Sequence, residues 1–531
     1  MTKTKTVIVQ TQTLPDADIS ETAATTSTAS ADNADSADNC SPTVAIQPTP
    51  TPPNAPSPPP PNRVDDMVQE LQQVELFHDE QQKPYASVDM HGHREHLEIE
   101  SKAFGQYVNA RAHKRWKRTL NKNQYEELVN IVSGKAIHEG QMHPVHLRVA
   151  PGSEAFYIDI GDKDRRTVEV TAQGWQLTQT PPVRFRRPAS MGSLPVPVRG
   201  GRIDDLKPFL NCGDEGFKMI VGFVLASFRT AGPYPILELV GEKGTSKSTT
   251  TRLVQALVDP SQTQLGSPVR TEEQLAVRAE HAWLVALDNC SGMTDEMSDV
   301  LCRLSTGGSY SARQLYTNTS QVVMNYCRPS VINGIENVGR RSDLLDRCWG
   351  LELTRIPSHQ RKTETALWAD FNLVSPRIFG AICDALVVAV RDEQKVQIPL
   401  VDRLADAERW VTAAEPAMGW SNGAFQTVLR NRRSDVVHRA LDEYPGIWEA
   451  MKGLAAKSWS GTVSELQAEV GCSSMKPSQF GGLMRRLTPD LAAVGIEVKK
   501  WRHGHGSIRG YSVKSVVGTV GTDGMGEEDS Q

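Results

Sequence analysis

Pro235-Ile-Leu-Glu-Leu-Val-Gly-Glu-Lys-Gly-Thr-Ser-Lys-Ser-Thr249 decides how the rest of the chain is read. Ile236 to Val240 is an apolar run long enough for one buried strand. Gly241 to Ser248 follows as G-E-K-G-T-S-K-S, and then Leu253, Val254, Leu257 and Val258 recur at helical spacing. Strand, glycine-containing loop and helix form the setting in which G-x-x-x-x-G-K-[ST] binds phosphate. Backbone N–H groups must curl around the anion while the helix N-terminus points at it. The pattern assigns nucleotide contacts to Gly241, Glu242, Lys243, Gly244, Thr245, Ser246, Lys247, Ser248 and Thr249. Lys247 is expected on the β/γ oxygens and the Ser248 hydroxyl on Mg²⁺, so ATP and Mg²⁺ are the implied cofactors. Ser246 stands where the motif usually carries its second glycine. A glycine-rich turn with an incidental Lys-Ser is the alternative, and the flanking strand and helix argue against it.

Downstream, Trp283-Leu-Val-Ala-Leu287 is apolar and ends in Asp288-Asn289. A carboxylate at the C-terminal end of a buried strand is where a second Mg²⁺-positioning group belongs. Asn289 is awkward, because an amide can orient water but cannot take its proton. Asp295, Glu296 and Glu336 are possible substitutes, and the sequence does not choose among them. Thr271-Glu-Glu-Gln274 has capping-box form. Thr294 to Leu304 reads as a helix, and Tyr310–Tyr316 with Val322–Tyr326 as a hairpin. Ser330-Val-Ile-Asn333 is a short strand whose Asn333 could sense a γ-phosphate or hold the attacking water. Arg340-Arg-Ser-Asp-Leu-Leu-Asp-Arg347 precedes a last apolar strand, Trp349 to Leu353. Such arginines are often surface residues. In ring ATPases they reach the neighbouring subunit's γ-phosphate, and Arg341 and Arg347 are the better placed.

The 531 residues suggest three or four structural units. The net charge of −5 is unevenly spread. Residues 1–62 set six acids (Asp16, Asp18, Glu21, Asp32, Asp35, Asp38) against Lys3 and Lys5. They are rich in Thr, Ser, Ala and Pro, a composition expected to stay disordered. Residues 515–531 add Asp523, Glu527, Glu528 and Asp529 as an acidic, flexible tail. What lies between is slightly basic. The eight cysteines show no C-x-x-C spacing, which argues against a zinc site and fits a reducing cytosol. The longest apolar run, Met219 to Phe228, is about half a membrane span, so a buried helix, no membrane partner and a cytoplasmic location are expected.

Residues 63–200 read as a small α+β domain and linker. Phe104 to Ile131 is expected to be helical, with Arg111, His113, Lys114, Arg115, Lys117 and Arg118 around Trp116. That cluster is either a solvated face or a surface that grips phosphates and stacks a base. Val145 to Val170 alternates as a small antiparallel sheet, and Asp159, Asp162, Asp164 and Glu169 there are either solvated turns or a metal site. Pro181 to Pro197 reads as an extended linker. Phe371–Val390 and Leu400–Thr412 read as helices. Residues 457–514 read as helices followed by a Gly-tipped hairpin, a winged-helix pattern. Nine basic residues there (Lys457, Lys476, Arg485, Arg486, Lys499, Lys500, Arg502, Arg509, Lys514) outnumber Glu465, Glu469, Asp490 and Glu497. That excess is a phosphate-binding footprint.

Together G-E-K-G-T-S-K-S, L-V-A-L-D-N, S-V-I-N and R-S-D-L-L-D-R resemble the AAA+ ATPase core of phage and plasmid primase–helicase proteins, with superfamily 3 helicases as broader relatives. Leu304-Ser-Thr-Gly-Gly-Ser-Tyr-Ser-Ala-Arg-Gln-Leu-Tyr316 is similar to their segment between Walker B and sensor 1. The resemblance covers Val198 to Pro357. It implies Walker A at Lys247 and Ser248, Walker B at Asp288, sensor 1 at Asn333, and an arginine finger at Arg341 or Arg347. It also implies self-association into rings, commonly hexamers, that thread single-stranded or forked DNA. Ser246 and Asn289 depart from the family's pattern. The fold expected is α/β: a P-loop AAA+ core with a parallel sheet at 201–400, a helical connector at 401–456 and a winged helix at 457–514. The expected activity is that of a DNA helicase-like ATPase of a mobile element. An ATP switch that hydrolyses little, and a DNA-binding regulator whose P-loop controls oligomerisation, stay open as alternatives. No catalytic carboxylate set for primer synthesis is evident.

Overall fold

A buried Glu238 sits in the middle of the strand Ile236–Val240, whose five residues are all inside the protein. Strands buried on both faces belong to parallel sheets covered by helices. The computed structural model shows that arrangement. It describes residues 63–516 apart from 91, 264, 266–268, 291–292, 314–320, 336–341, 358, 360, 399–402, 443 and 504–507. The N-terminal arm, most of the acidic tail, Glu336, Arg340 and Arg341 lie outside the described residues.

Four parallel strands form the central sheet in the order Val285–Leu287, Ser330–Gly334, Ile236–Val240, Cys348–Glu352. Leu237, Leu239, Val331 and Trp349 enter one core with Leu253, Leu257 and Phe223. Ile236, Val285, Leu287 and Ile332 enter another with Leu275, Leu301 and Leu304 on the opposite face. The register pairs Val240 with Gly334 and Glu352, and Leu287 with Ile332. One edge of the sheet therefore carries the loop after Val240, Asp288 and Asn333 together. The expected hairpin forms between Gly308–Arg313 and Gln321–Tyr326. Thr271 and Thr294 cap the helices Glu272–His281 and Asp295–Thr306, each accepting a backbone N–H three residues on. The reciprocal capping-box bond at Thr271 is displaced by one residue: Gln274 Oε1 accepts from Arg270 N at 3.0 Å.

The hydrophobic cores divide the chain differently from the expected boundaries. Val64 to Ala136 close a first core with the strands Glu75–His78, Pro84–Met90 and His93–Glu98. The antiparallel sheet Val149–Pro151, Ala155–Asp159, Thr167–Thr171, Trp175–Thr178 is not part of it. Its Val149, Phe156, Ile158, Val168, Val170 and Trp175 join the core of the central sheet. The region expected to end at residue 200 thus splits before Val149. The connector expected at 401–456 splits too: Leu404 to Leu429 belong to the central core, whereas Leu441 and Ile447 to Ala455 belong to the C-terminal one. Local periodicity finds helices and strands but does not say which core they enter.

Among the described residues, one helix, Glu364–Lys395, is long and apolar enough by length and composition to cross a membrane. Ile378, Phe379, Ile382 and Leu386 bury it in the central core, as they do a core helix. The helix Asp214–Ala226 is similarly enclosed.

Arg148 fastens the antiparallel sheet to the central one. It is fully buried. Nε and Nη2 donate to Asp259 Oδ1 at 2.9 and 2.8 Å, Nη1 to the carbonyls of Asp159 and Ile160, and Nη2 to the Gly192 carbonyl. Asp259 closes the helix Lys247–Val258, and its Oδ2 accepts the N–H groups of Trp283 and Leu284 at 2.7 and 3.1 Å. Asp259→Ala strands a buried guanidinium and two backbone donors. It is expected to cost about 3–5 kcal/mol of stability, measured as a fall in the urea midpoint. A cost below about 1 kcal/mol would show that water replaces the carboxylate.

Candidate functional site

The loop after Val240 is held by backbone geometry that its sequence permits. Gly241 has φ 154° and Gly244 φ 84°. A Cβ on Gly241 would lie 2.5 Å from the Leu353 carbonyl oxygen, so no side chain fits there. Ser246 has φ 65°, the left-handed region in which the usual glycine is free of strain. Its hydroxyl donates to the Thr245 carbonyl at 2.6 Å, a local bond that helps a short polar residue occupy this conformation. The substitution seen in the sequence therefore keeps the backbone shape. Thr250 N–H donates to the Ser246 carbonyl at 2.8 Å, opening the helix Lys247–Val258.

Lys247 folds back over the loop. Its ammonium donates to the carbonyls of Gly241 and Glu242 at 2.6 and 2.8 Å. Burial lowers its pKa, and the charge of Asp288 opposes that shift. Ser248 Oγ donates to Asp288 Oδ1 at 2.8 Å, joining the loop helix to the end of the strand Val285–Leu287, which lies two strands over from Ile236–Val240. Two adjacent oxygens at about 2.1 Å from an octahedral ion lie about 3.0 Å apart. Ser248 and Asp288 could thus share one Mg²⁺ with little movement. Glu242 and Lys243 are exposed on the loop, while Thr245 is buried and donates to the Glu242 carbonyl. Thr249 follows in the first turn of the helix.

Asn333 stands behind this edge. It is 1% exposed. Its Nδ2 donates to Thr251 Oγ1 at 2.9 Å and its Oδ1 accepts Asn289 N–H at 3.0 Å. Its carbonyl accepts Cys290 N–H at 2.7 Å. Asn289 has φ 59°, a left-handed conformation that asparagine tolerates better than most residues. The residue that looks awkward as a water activator thus fits as the hinge of the turn after Asp288. Asp295 and Glu296 are exposed in the first turn of the next helix.

Arg347 is placed at the opposite edge of the sheet. Its carbonyl accepts Ile236 N–H at 2.9 Å, at the start of the strand whose end opens the loop. The side chain is 9% exposed, and Nη1 lies 2.9 Å from Asp343 Oδ1. Three residues outside any motif brace the loop. Asn211 Nδ2 donates to the carbonyls of Thr245 and Thr354 at 3.3 and 2.5 Å. Thr251 supports Asn333. Ile356 N–H donates to the Gly244 carbonyl at 3.3 Å. Only the position of Thr251, four residues after Lys247, offered any sequence signal.

The other expected sites resolve into ion pairs. Asp159 is salt-bridged to Arg187, and Asp162 binds Arg166 at 2.6 Å. Among the described residues, no group of three or more carboxylates, histidines or cysteines could hold a metal ion. Arg184 and Arg186 of the expected linker pair with Glu75 and Glu280. In the basic helix Lys102–Trp116, Arg111 and Arg115 pair with Glu70, and Arg115 also lies over the Trp116 ring. His113, Lys114, Lys117 and Arg118 are exposed. At the C-terminal end, Ser460–Thr462 adds a third strand to the expected hairpin Ile496–His503/Ile508–Ser515. Three helices, Pro445–Ala456, Val463–Glu469 and Pro477–Ala493, pack on it. Arg485, Arg486, Lys499, Lys500 and Arg502 are all exposed there.

Residues 203–432 match the family model of the actinomycete integrative conjugative element replication proteins. The span is under half of the chain and includes the loop, Asp288, Asn333 and Arg347. Over it the chain is similar to replication proteins of a mobile element, one of the integrative conjugative kind. Among solved structures the chain is similar to SCCmec type IV Cch, described as an active helicase, at 10% identity and a TM-score of 0.42, covering 83% of this chain and 93% of that one. It is also similar to the apo C-terminal region of NrS-1, at 11% identity and a TM-score of 0.39, covering 83% and 97%. No curated protein matches the chain.

Proposed function

We propose that the chain is an ATP-binding and ATP-hydrolysing, helicase-like replication protein of a mobile element, with an AAA+ core of superfamily 3 type. The reading rests on one observation: at a single sheet edge, a loop ending in Lys247 and Ser248 meets Asp288, with Ser248 and Asp288 2.8 Å apart. Lys247 leaves its loop carbonyls for the β/γ oxygens, and the N–H groups of Gly244 to Ser248 surround the phosphate. Ser248 and Asp288 would hold Mg²⁺, and the ion would supply charge neutralisation at the phosphoryl oxygens. Asn333 acts through the Asn289 turn, fixing where Asp288 stands. The family match to replication proteins supports DNA as the partner.

The C-terminal module is proposed as a winged helix that grips DNA phosphates through Arg485, Arg486 and the Lys499–Arg502 strand. Substituting Arg485 and Arg486 together by alanine is expected to flatten the plot of log affinity against log salt by about two units, one per lost phosphate contact. An unchanged slope would place the DNA elsewhere, with His113 to Arg118 the next surface to test.

The experiment for the whole reading is the ATP turnover of the purified chain with and without single-stranded DNA. Stimulation by DNA is expected. A second reading, an ATP switch that assembles on DNA and hydrolyses little, is favoured by Asn289, which supplies no proton acceptor. Tight ATP binding without DNA-stimulated turnover would select it.

A further inference from the structure

The segment that leaves the last sheet strand does not run away from the loop. It doubles back across it. Leu353 N–H donates to the Val240 carbonyl at 2.8 Å and Ile356 N–H to the Gly244 carbonyl at 3.3 Å. Asn211 ties Thr354 to Thr245. Arg361 lies at the end of this strap, its Nε donating to the Ile356 carbonyl at 3.2 Å. A Cβ built on Gly244 would be 3.0 Å from Arg361 Nη2. The guanidinium therefore lies against the turn of the loop, and glycine's missing side chain leaves it room.

Its neighbours are neutralised. Arg252 is salt-bridged to Glu364, and Lys362 meets Asp370 at 3.0 Å. Arg361 is exposed, and among the described residues no carboxylate pairs with it. An arginine at the mouth of a loop built for anions, with a fork of N–H groups to spare, is suited to bind phosphate oxygens.

We propose that Arg361 is a phosphate-contacting residue supplied by the same subunit, reaching the phosphate chain of the nucleotide held by Gly241–Ser248. This rests on the nucleotide reading of that loop. It differs from the Arg341/Arg347 role, which acts on a neighbour.

The test measures the affinity of the full chain for ATP, ADP and AMP by competition against a fluorescent nucleotide, in the wild type, Arg361→Ala, Arg361→Lys and Lys247→Ala. Loss of a charge-assisted phosphate contact is worth about tenfold to a hundredfold. Arg361→Ala is expected to weaken ATP binding by that factor and AMP binding by less, with part of the loss restored in Arg361→Lys. A residue that merely braced the strap would weaken all three nucleotides equally. Equal losses, or ATP affinity within about twofold of wild type while Lys247→Ala fails to bind, would overturn the Arg361 proposal and leave the loop's role intact. Wild-type affinity in Lys247→Ala would instead remove the nucleotide reading, and the proposal with it.

Discussion

Lys247→Ala is expected to remove at least about a hundredfold of ATP turnover, the usual order for deleting one preorganised donor to a transferring or developing anion. A phosphate-release assay at saturating Mg²⁺-ATP reads it. The fold should survive. Lys247 is only partly buried, and its bonds end on loop carbonyls, not in either core. The melting transition of the variant is therefore expected close to that of the wild type. Turnover at the wild-type rate would show that the Gly241–Ser248 loop is not where the reaction occurs.

A comparable loss is expected from Arg347→Ala if Arg347 is an arginine finger, and that role has a signature that no residue of a subunit's own pocket could produce. Arg347 stands at the start of the strand run whose far end carries the loop. Five residues at about 3.3 Å each put roughly 16 Å between them along the sheet. If Arg347 serves a nucleotide, that nucleotide belongs to another copy. Fingers of this kind contribute ~10³-fold or more. A Lys247→Ala subunit keeps its finger and loses its pocket. An Arg347→Ala subunit does the reverse. Each alone should be nearly inactive, and a mixture should regain activity at interfaces that pair a good pocket with a good finger. Arg347 must first leave Asp343, with which it is paired in the structure. The same mixture made with Arg341→Ala distinguishes the two arginines. Exchange of subunits without recovered turnover would remove both from the role.

The sheet edge that carries the Gly241–Ser248 loop and Asp288 was legible because each of its parts is local. An apolar run, a glycine-bearing loop and a Lys-Ser pair lie within fifteen consecutive residues. A second strand ends in the only Asp-Asn that follows a five-residue apolar run in that region. The partners that hold these parts in place are remote in sequence. Asn211 reaches Thr245 and Thr354, Thr251 meets Asn333 across 82 positions, and Arg148 meets Asp259 across 111. No period or motif encodes such pairs. Asn289 carries a second role that side-chain chemistry does not reveal: it supplies no base, and its backbone adopts a positive φ that asparagine tolerates. The three-stranded C-terminal sheet was legible as a hairpin only, because Ser460–Thr462 is too short to alternate.

The Arg148–Asp259 pair also bears on how this unit can be recombined. The family match begins at residue 203, after both Arg148 and the sheet that carries Phe156, Ile158 and Trp175. A chimera joined at that boundary would inherit an acid at the end of the helix Lys247–Val258 without its base. It would also inherit an apolar wall without its cover. Exchanges among such replication proteins are therefore expected to persist only when the crossover falls before Leu147, so that the sheet travels with the helix it secures. The unit that packs as one core is longer than the segment that the family model matches.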